Sequence, residues 1–255
     1  MGRFLSLFLL LLVAGVAVRM TTAPSAAAVP KIGIVSAIGD KLYLRKIGIT
    51  VFGNEAEEMA IDSWRIDDLM VAKVRAALTG RFEVRPVTYQ RAPFASLAER
   101  NEIFSQEHRP ELVRTGVSPQ GLDAYLVITK TRSKYGQTNL TLLGLGLLEG
   151  GTKLFGEQVY AHANYALAMV DGRTWDISAE AKAFMPPRAQ PELGGISRKV
   201  DKSFWPASPD AAANQRLKGA FAELIDKSLP CGLQRMRLIP PVPACDATVT
   251  MPGRE

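Results

Sequence analysis

A dipeptide in the second half of the chain, Asp171-Gly172, constrains the fold more than any other local feature. It separates two stretches, residues 159–170 and 174–183, in which apolar and polar side chains alternate, a pattern typical of a β-hairpin. His162 and Asn164 lie on the more polar face of the first arm, so we expect that face to be partly exposed to water and the other face to pack on a core. The core-facing residues would be Val159, Ala161, Ala163, Tyr165, Leu167 and Met169.

Strand patterns also occur earlier in the chain. Residues 31–38 and 41–51 are rich in β-branched and apolar side chains and flank Gly39-Asp40, which predicts an opening β-hairpin. Residues 52–61 contain three glutamates and predict a polar loop. Residues 124–131 are apolar at nearly every position and predict a buried strand.

Three helices are predicted among these strands. The first covers residues 62–79, where apolar side chains recur every three or four positions. The second covers residues 96–106 and begins with Ser96 in a capping box. The third covers residues 209–229 and ends at Pro230. This order predicts an α+β or α/β fold, in which two to three helices pack on a single mixed β-sheet.

An apolar run at the amino terminus predicts export. Arg3 precedes fifteen almost entirely apolar residues, Phe4–Val18. As a helix they extend about 22 Å, which is shorter than a hydrocarbon core of about 30 Å. The small residues that follow fit an A-x-A cleavage site between Ala28 and Val29. The sequence therefore predicts a signal peptide over residues 1–28 and a periplasmic or secreted protein, with an uncleaved anchor as the alternative.

The two cysteines fit an oxidising compartment. Cys231 and Cys245 are separated by thirteen residues, and the C-x-x-C spacing of redox-active pairs is absent. We predict a structural disulfide between them, with a stabilisation of about 3 kcal/mol from loop closure. It would hold a Pro-rich tail, residues 230–255, against the last helix. The remaining mature residues, 29–229, would form one domain that contains a Pro-rich irregular connection over residues 186–209.

Charge and composition exclude several classes of function. The net charge of +6 falls to +4 when Arg3 and Arg19 leave with the signal peptide, and the most basic stretch, residues 130–134, holds only three basic side chains. A nucleic-acid partner is therefore not expected. The acidic residues 55–62 lack the pattern of a calcium loop, and Gly144–Gly150 lacks the spacing of a dinucleotide fingerprint. We expect no metal and no organic cofactor.

Two residues are candidates for contact with a partner protein: His162 on the hairpin and Trp205 in the Pro-rich connection. No G-x-S-x-G nucleophile motif occurs, and we assign no catalytic residue. One alternative is a small hydrolase or small-molecule-binding protein that uses His162 with carboxylates of the hairpin, namely Asp171, Asp176 and Glu180. Another is a peripheral membrane protein that contacts lipid through Leu140–Leu148, a segment for which a core strand is the favoured interpretation.

Five segments resemble a small α/β domain shared by the amino-terminal domain of TolB, the activator LpoB and the curli secretion protein CsgG. They are KIGIVSA, LTGRFEVRPV, GLDAYLVITKTRS, ANYALAMVDGRTWDISAEAKA and NQRLKGAFAELIDKSL. The resemblance covers roughly residues 29–229 and implies a non-catalytic module of the cell envelope that acts by binding another protein. The chain departs from the group because it lacks the lipoprotein cysteine common in LpoB and CsgG, and because it adds the Pro-rich connection and the disulfide-bonded tail.

Overall fold

The computed structural model describes residues 28–48, 54–99, 102–135, 140–150, 158–186, 195–206 and 213–246. The strands of this part are β1 (Lys31–Ala37), β2 (Lys41–Lys46), β3 (Glu55–Ala60), β4 (Glu83–Arg85), β5 (Thr88–Tyr89), β6 (Val117–Ser118), β7 (Ala124–Lys130), β8 (Arg132–Lys134), β9 (Thr141–Leu143), β10 (Leu145–Gly150), β11 (Gln158–Ala163), β12 (Tyr165–Asp171), β13 (Ile177–Lys182) and β14 (Ser197–Val200). The helices are α1 (Ile66–Leu78), α2 (Arg91–Ala95), α3 (Glu102–Gly116), α4 (Ala213–Arg235) and α5 (Pro243–Asp246).

Most strands belong to two five-stranded mixed sheets. Sheet A has the order β13-β12-β7-β1-β4, in which β1 lies parallel to β4 and β7, and β12 lies antiparallel to β7 and β13. Sheet B has the order β14-β11-β10-β2-β3, in which only β2 and β10 pair in parallel. The predicted mixed pairing and α+β class are confirmed, and the strands are divided between two sheets instead of the single sheet expected.

The two sheets separate around a ring of three backbone hydrogen bonds. Thr131 N–H donates to the carbonyl of Asn164 (3.1 Å), Asn164 N–H donates to Gly144 (2.8 Å), and Gly144 N–H donates to Thr131 (3.1 Å). These residues lie where β7 ends, where β10 begins and where β11 passes into β12. We call this ring the junction. It pairs backbone groups at the end of β7, at the start of β10, and between β11 of sheet B and β12 of sheet A.

The predicted opening hairpin is wrong. β1 lies in sheet A and β2 lies in sheet B, so the two strands do not pair. Gly39, between the two strands, lets the backbone pack closely against the start of α1. A side chain there would not fit, because its Cβ would lie 2.8 Å from Cβ of Ile66. The predicted polar loop is also wrong over residues 55–60, which form β3 and pair with β2. β3 is an edge strand, and such strands carry exposed charged side chains.

The helix predictions are confirmed in part. α1 occupies the predicted segment and is followed by Gly80 at a φ of 81°. The capping box is wrong, because the Ser96 hydroxyl donates to the carbonyl of Pro93 within a short helical turn. The predicted stop at Pro230 is wrong as well, since α4 continues to Arg235. Proline deprives the carbonyl of Asp226 of its helical donor, but Asp226 is exposed and water can replace that bond.

The main core lies on one continuous face formed by both sheets and is covered by α1 and α4. The predicted inward face of the hairpin is confirmed, since its residues all belong to this core: Val159, Ala161, Ala163, Tyr165, Leu167 and Met169. The prediction of a partly exposed opposite face is wrong. On that face His162 and Asn164 are 1% and 4% exposed. The opposite face of sheet A packs on residues from α2 and α3, while β9 packs on the opposite face of sheet B.

The late hairpin at Asp171-Gly172 and the disulfide are both confirmed, but residues 159–163 of the predicted first arm belong to β11 of sheet B and do not pair with β13. β12 and β13 pair antiparallel across the turn that begins with Asp171-Gly172. Cys231 of α4 is bonded to Cys245 of α5, with a Cα–Cα distance of 5.3 Å. The amide of Val242 also donates to Gln234 Oε1 at 2.7 Å, which holds the same segment to α4.

Other predictions concern residues outside the described ranges. Residues 1–27, with most of the predicted signal peptide, lie outside them, as do residues 247–255 of the tail. No described helix has the length and apolar character needed to cross a membrane.

We predict that Gly146→Ala lowers the free energy of unfolding by about 1–3 kcal/mol, a typical cost of overpacking. The new Cβ would lie 2.3 Å from the carbonyl oxygen of Tyr43 and 2.4 Å from Nε2 of His162. Urea denaturation followed by circular dichroism measures the change. The matched control is Gly116→Ala, where the added Cβ meets no atom within 4 Å and we expect a change of less than about 0.5 kcal/mol. Equal stability of the two variants would contradict this packing.

Candidate functional site

The structure does not bring the two predicted partner-binding residues together on one surface. His162 lies on the interior strand β11 and is 1% exposed. Trp205 follows β14 and is half-buried, and it packs against the main core. Direct contact of His162 with a partner would require the surrounding strands to open. Its partner-binding role therefore stays a prediction.

The hydrogen bonds of His162 define its tautomer. Nδ1 lies 3.1 Å from the carbonyl oxygen of Gly144, which can only accept, and 3.4 Å from Asn164 Nδ2, which can only donate. We assign the proton to Nδ1 from the shorter of the two contacts, which leaves Nε2 without one. Nε2 is buried and has no hydrogen-bond partner among the described residues. The pKa of His162 is lowered from 6.5 to about 4, chiefly by burial. The Gly144 bond opposes this shift, and the positive charge of Arg45 adds a smaller lowering. The ring is therefore neutral at pH 7.

The hydrolase alternative gains no support from this geometry. Asp171 accepts hydrogen bonds from the amides of Arg173 (2.7 Å) and Thr174 (2.9 Å) within its own turn. Glu180 forms an ion pair with Arg109. Within the described part of the chain, no carboxylate forms a hydrogen bond or ion pair with His162, so no base–carboxylate pair is assembled there.

A second buried polar group, Lys130, lies at the end of β7. Its side chain has no exposed surface, and its ammonium lies 3.0 Å from both Asp40 Oδ2 and the Tyr43 hydroxyl. Burial alone would lower the pKa of Lys130, but the hydrogen bonds to Tyr43 and Asp40 outweigh burial and raise the pKa. Lys130 therefore remains charged. The most basic stretch of the sequence, residues 130–134, therefore begins with a buried lysine.

A cavity of about 300 Å³ lies beside these groups, between the outward face of sheet B and β9. We call it the junction cavity. Besides the three residues of β9, it is lined by Tyr43, Arg45, Glu58, Glu99, Arg132 and His162. Sequence analysis identified only His162 among these residues. No local sequence motif links these residues, because they come from segments far apart in the chain that the sheet pairing brings together.

A more open groove of about 590 Å³ lies along β14, at one edge of sheet B. Residues 198–202 line it together with Gln158, Val159 and Phe204. We call it the β14 groove. The predicted irregularity of the connection is wrong here, because residues 197–200 form a strand that pairs with β11. Residues 187–194 and 207–209 of the connection lie outside the described ranges.

The backbone alternation of β14 leaves polar groups at an open edge. Ala163 N–H donates to the carbonyl of Ile196 at 2.9 Å, so residues 196, 198 and 200 direct their backbone groups toward β11. Lys199 therefore directs its N–H and carbonyl away from β11. Among the described residues, no further strand pairs with this edge. Nearby, the ammonium of Lys46 lies 5.3 Å from the ring centroid of Trp205, a cation–π contact.

Two further sequence interpretations concern lipid and metal. Leu142, Leu145, Leu147 and Leu148 are each at most 1% exposed, which favours a core strand over lipid contact for Leu140–Leu148. The part of the chain that the structure describes contains no cluster of three or more His, Cys, Asp or Glu suited to a metal ion.

We predict that the free energy of unfolding falls as the pH drops from about 6.5 to about 4, with His162 contributing up to about 3 kcal/mol. Its folded-state pKa of about 4 lies below the ordinary 6.5, so the unfolded chain takes up the proton first. This contribution is complete above pH 6.5 and is lost on acidification. Urea denaturation across this range should show a shallower fall for His162→Gln than for the native chain. The control His108→Gln, at an exposed histidine, should leave the His162 contribution in place.

If the native chain and His162→Gln share one pH profile, the assignment is overturned. Nuclear magnetic resonance provides a test that does not depend on the stability of the variant. In the native chain, the ring signals of His162 should not titrate above about pH 5.

Comparison with known proteins gives no family. No protein-family model and no curated protein matches the chain. Among solved structures, lipoprotein GNA1162 from Neisseria meningitidis is 18% identical, covers 78% of this chain and 99% of its own, and has a TM-score of 0.28. A PelC dodecamer from Paraburkholderia phytofirmans is 11% identical, with coverages of 78% and 86% and a TM-score of 0.26. Protein XCC0632 from Xanthomonas campestris is 11% identical, with coverages of 83% and 89% and a TM-score of 0.33. Matches this distant assign no function to the chain, and the resemblance to the TolB, LpoB and CsgG domain stays a prediction.

Proposed function

We propose that this chain is an exported, non-catalytic binding protein of the cell envelope. It would hold an extended, acidic segment of a partner protein along the β14 groove. The observation that carries the proposal is the open edge of β14, with basic side chains beside it. Trp205, at the end of the groove segment, would support the bound segment from one side.

Export is supported by two independent features. The amino-terminal apolar run and its A-x-A site have the pattern of a signal peptide. The bond between Cys231 and Cys245 fits an oxidising compartment, because stable disulfides are rare where thiols are kept reduced.

The edge of β14 supports an extended partner. An open strand edge offers main-chain donors and acceptors, and an added strand can pair with them through hydrogen bonds that do not depend on sequence. The backbone of Lys199 is placed for that pairing by the alternation of β14. Side chains of the groove would then select among extended segments.

Charge supports an acidic segment. Arg198, Lys199 and Lys202 line the groove against one carboxylate, that of Asp201. Asp201 accepts hydrogen bonds from its own turn, at 2.8 Å from the amide of Ser203. Arg198 is paired with Glu223 on α4. Lys199 forms no ion pair among the described residues, so a partner carboxylate beside it would meet an uncompensated positive charge.

We predict that the chain, expressed with its own leader, is recovered from the cell envelope with Val29 as its first residue. Its intact mass should be lower than that of the reduced mature chain by the mass of the hydrogens lost on forming the Cys231–Cys245 bond. Mass spectrometry with and without a reducing agent measures both features. A chain recovered in the cytoplasm with both thiols free would contradict export.

We predict that Lys199→Pro weakens partner capture by about tenfold or more, the effect of about 1.4 kcal/mol. Proline removes the outward N–H and the charge, and edge strands tolerate it. The measurement is photo-cross-linking in cells, with a benzoylphenylalanine at position 204 replacing the native phenylalanine of the groove. Lys199→Gln, which removes the charge but keeps the N–H, should give an intermediate loss. Arg81→Glu, at an exposed turn after α1, should give none.

The sequence of the cross-linked peptide decides the outcome. The proposal requires an acidic segment of one envelope protein, captured less well by Lys199→Pro. A neutral or basic segment, or a yield that Lys199→Pro leaves unchanged, would overturn the β14 groove as the site.

A further inference from the structure

We propose that the junction cavity binds a small organic anion carrying a carboxylate or phosphate group, held between the guanidinium groups of Arg45 and Arg132. This site is separate from the β14 groove and does not depend on the proposed function. It has its own walls, its own charges and its own buried polar groups.

The carboxylates around the junction cavity are already paired. Lys41 lies 2.8 Å from Glu58 and 3.7 Å from Glu99. Lys130 lies 3.0 Å from Asp40 and also 3.7 Å from Glu99. These two lysines therefore compensate the acidic side chains of the site.

The two arginines are the charges that remain. Arg132 donates through Nε to the carbonyl of Ala98 at 3.3 Å, which leaves its terminal nitrogens available. Within the described ranges, neither Arg45 nor Arg132 forms an ion pair with a carboxylate. Seven charged groups surround the site and leave one net positive charge: Asp40, Lys41, Arg45, Glu58, Glu99, Lys130 and Arg132. Guanidinium groups bind carboxylate and phosphate through paired hydrogen bonds, so an oxyanion is the complementary ligand.

The walls of the cavity indicate an organic anion larger than inorganic phosphate. A volume of about 300 Å³ equals the space of about ten water molecules, at roughly 30 Å³ each in the liquid. Leu142, Leu143 and the ring of Tyr43 contribute apolar groups to the lining. Glu58 and Glu99 can accept hydrogen bonds from hydroxyl groups of the ligand. A hydroxylated acid or a sugar phosphate combines these properties.

The interior beside the cavity is held in place by buried polar contacts. Asn164 Nδ2 donates to the carbonyl of Leu142 at 3.2 Å, which ties the β9 wall to the junction. Lys130 donates to the Tyr43 hydroxyl at 3.0 Å and orients that ring. His162 lines the site as a neutral ring, so it adds no positive charge that would compete with the arginines for the anion.

The test is isothermal titration calorimetry of the mature protein with citrate and with glucose 6-phosphate, in a buffer of constant ionic strength. We expect saturable binding of at least one of them with a Kd of about 1 mM or lower, and no binding of uncharged glucose. Citrate alone would identify a carboxylate ligand, and glucose 6-phosphate alone a phosphate ligand. Absence of saturable binding by both anions would overturn the proposal.

Substitutions of the two arginines test whether the anion binds in the junction cavity. Arg45→Gln and Arg132→Gln should each weaken anion binding by about tenfold or more, because each removes charge-assisted hydrogen bonds. Arg173→Gln, at an exposed arginine on the hairpin turn, should bind as the native chain does. Equal weakening in all three variants would indicate attraction by net charge and would overturn the site.

Arg45 is exposed, so Arg45→Gln is expected to fold even if the change at Arg132 disturbs β8. Anion-induced shifts of the His162 ring signals provide a local readout in the native chain. The proposal requires those signals to move and to saturate with the calorimetric Kd. Signals that stay fixed while heat is released would place the anion elsewhere and overturn the assignment.

Discussion

The fold depends on three backbone hydrogen bonds at the junction, which hold the two sheets together where they separate. Thr131, Gly144 and Asn164 each donate to the next carbonyl of the ring, with lengths of 2.8 to 3.1 Å. At this ring the chain passes directly from β11 of sheet B into β12 of sheet A, and three backbone N–H groups are paired with three carbonyls there. Both sheets can therefore share one face, which α1 and α4 cover with a single core. Gly144, at a φ of 55°, is suited to the left-handed backbone that the ring requires.

Polar side chains are also buried close to the junction. Lys130 is the last residue of β7, so it is buried where the two sheets separate, and it stays charged because Asp40 and Tyr43 surround it. His162 lies in β11 of sheet B and stays neutral because burial lowers its pKa and outweighs the opposing bond to the Gly144 carbonyl. A buried pair such as Lys130–Asp40 contributes little net stability, but the loss of one partner is costly. The junction therefore favours one arrangement of the strands.

Two surfaces of different character result from this architecture. The β14 groove is open and lies at the edge of sheet B, so it offers backbone groups and basic side chains to a long partner. The junction cavity is smaller and is walled by β9, so it suits a compact ligand. Sheet B takes part in both, since β11 carries His162 and also pairs with β14. A ligand in the cavity and a partner at the edge would thus contact neighbouring strands of one sheet.

The sequence by itself determined the features that depend on local pattern: the helix α1, the buried strand β7, the hairpin at Asp171-Gly172 and the pairing of Cys231 with Cys245. Periodicity, turn chemistry and cysteine spacing act over a few residues and can be read directly. Only the tertiary structure decided that β1 and β2 enter different sheets, that the acidic segment 55–60 is an edge strand, and that His162 and Lys130 are buried. Those outcomes depend on contacts between residues distant in the chain, and alternation along one strand does not reveal whether a second layer covers its polar face.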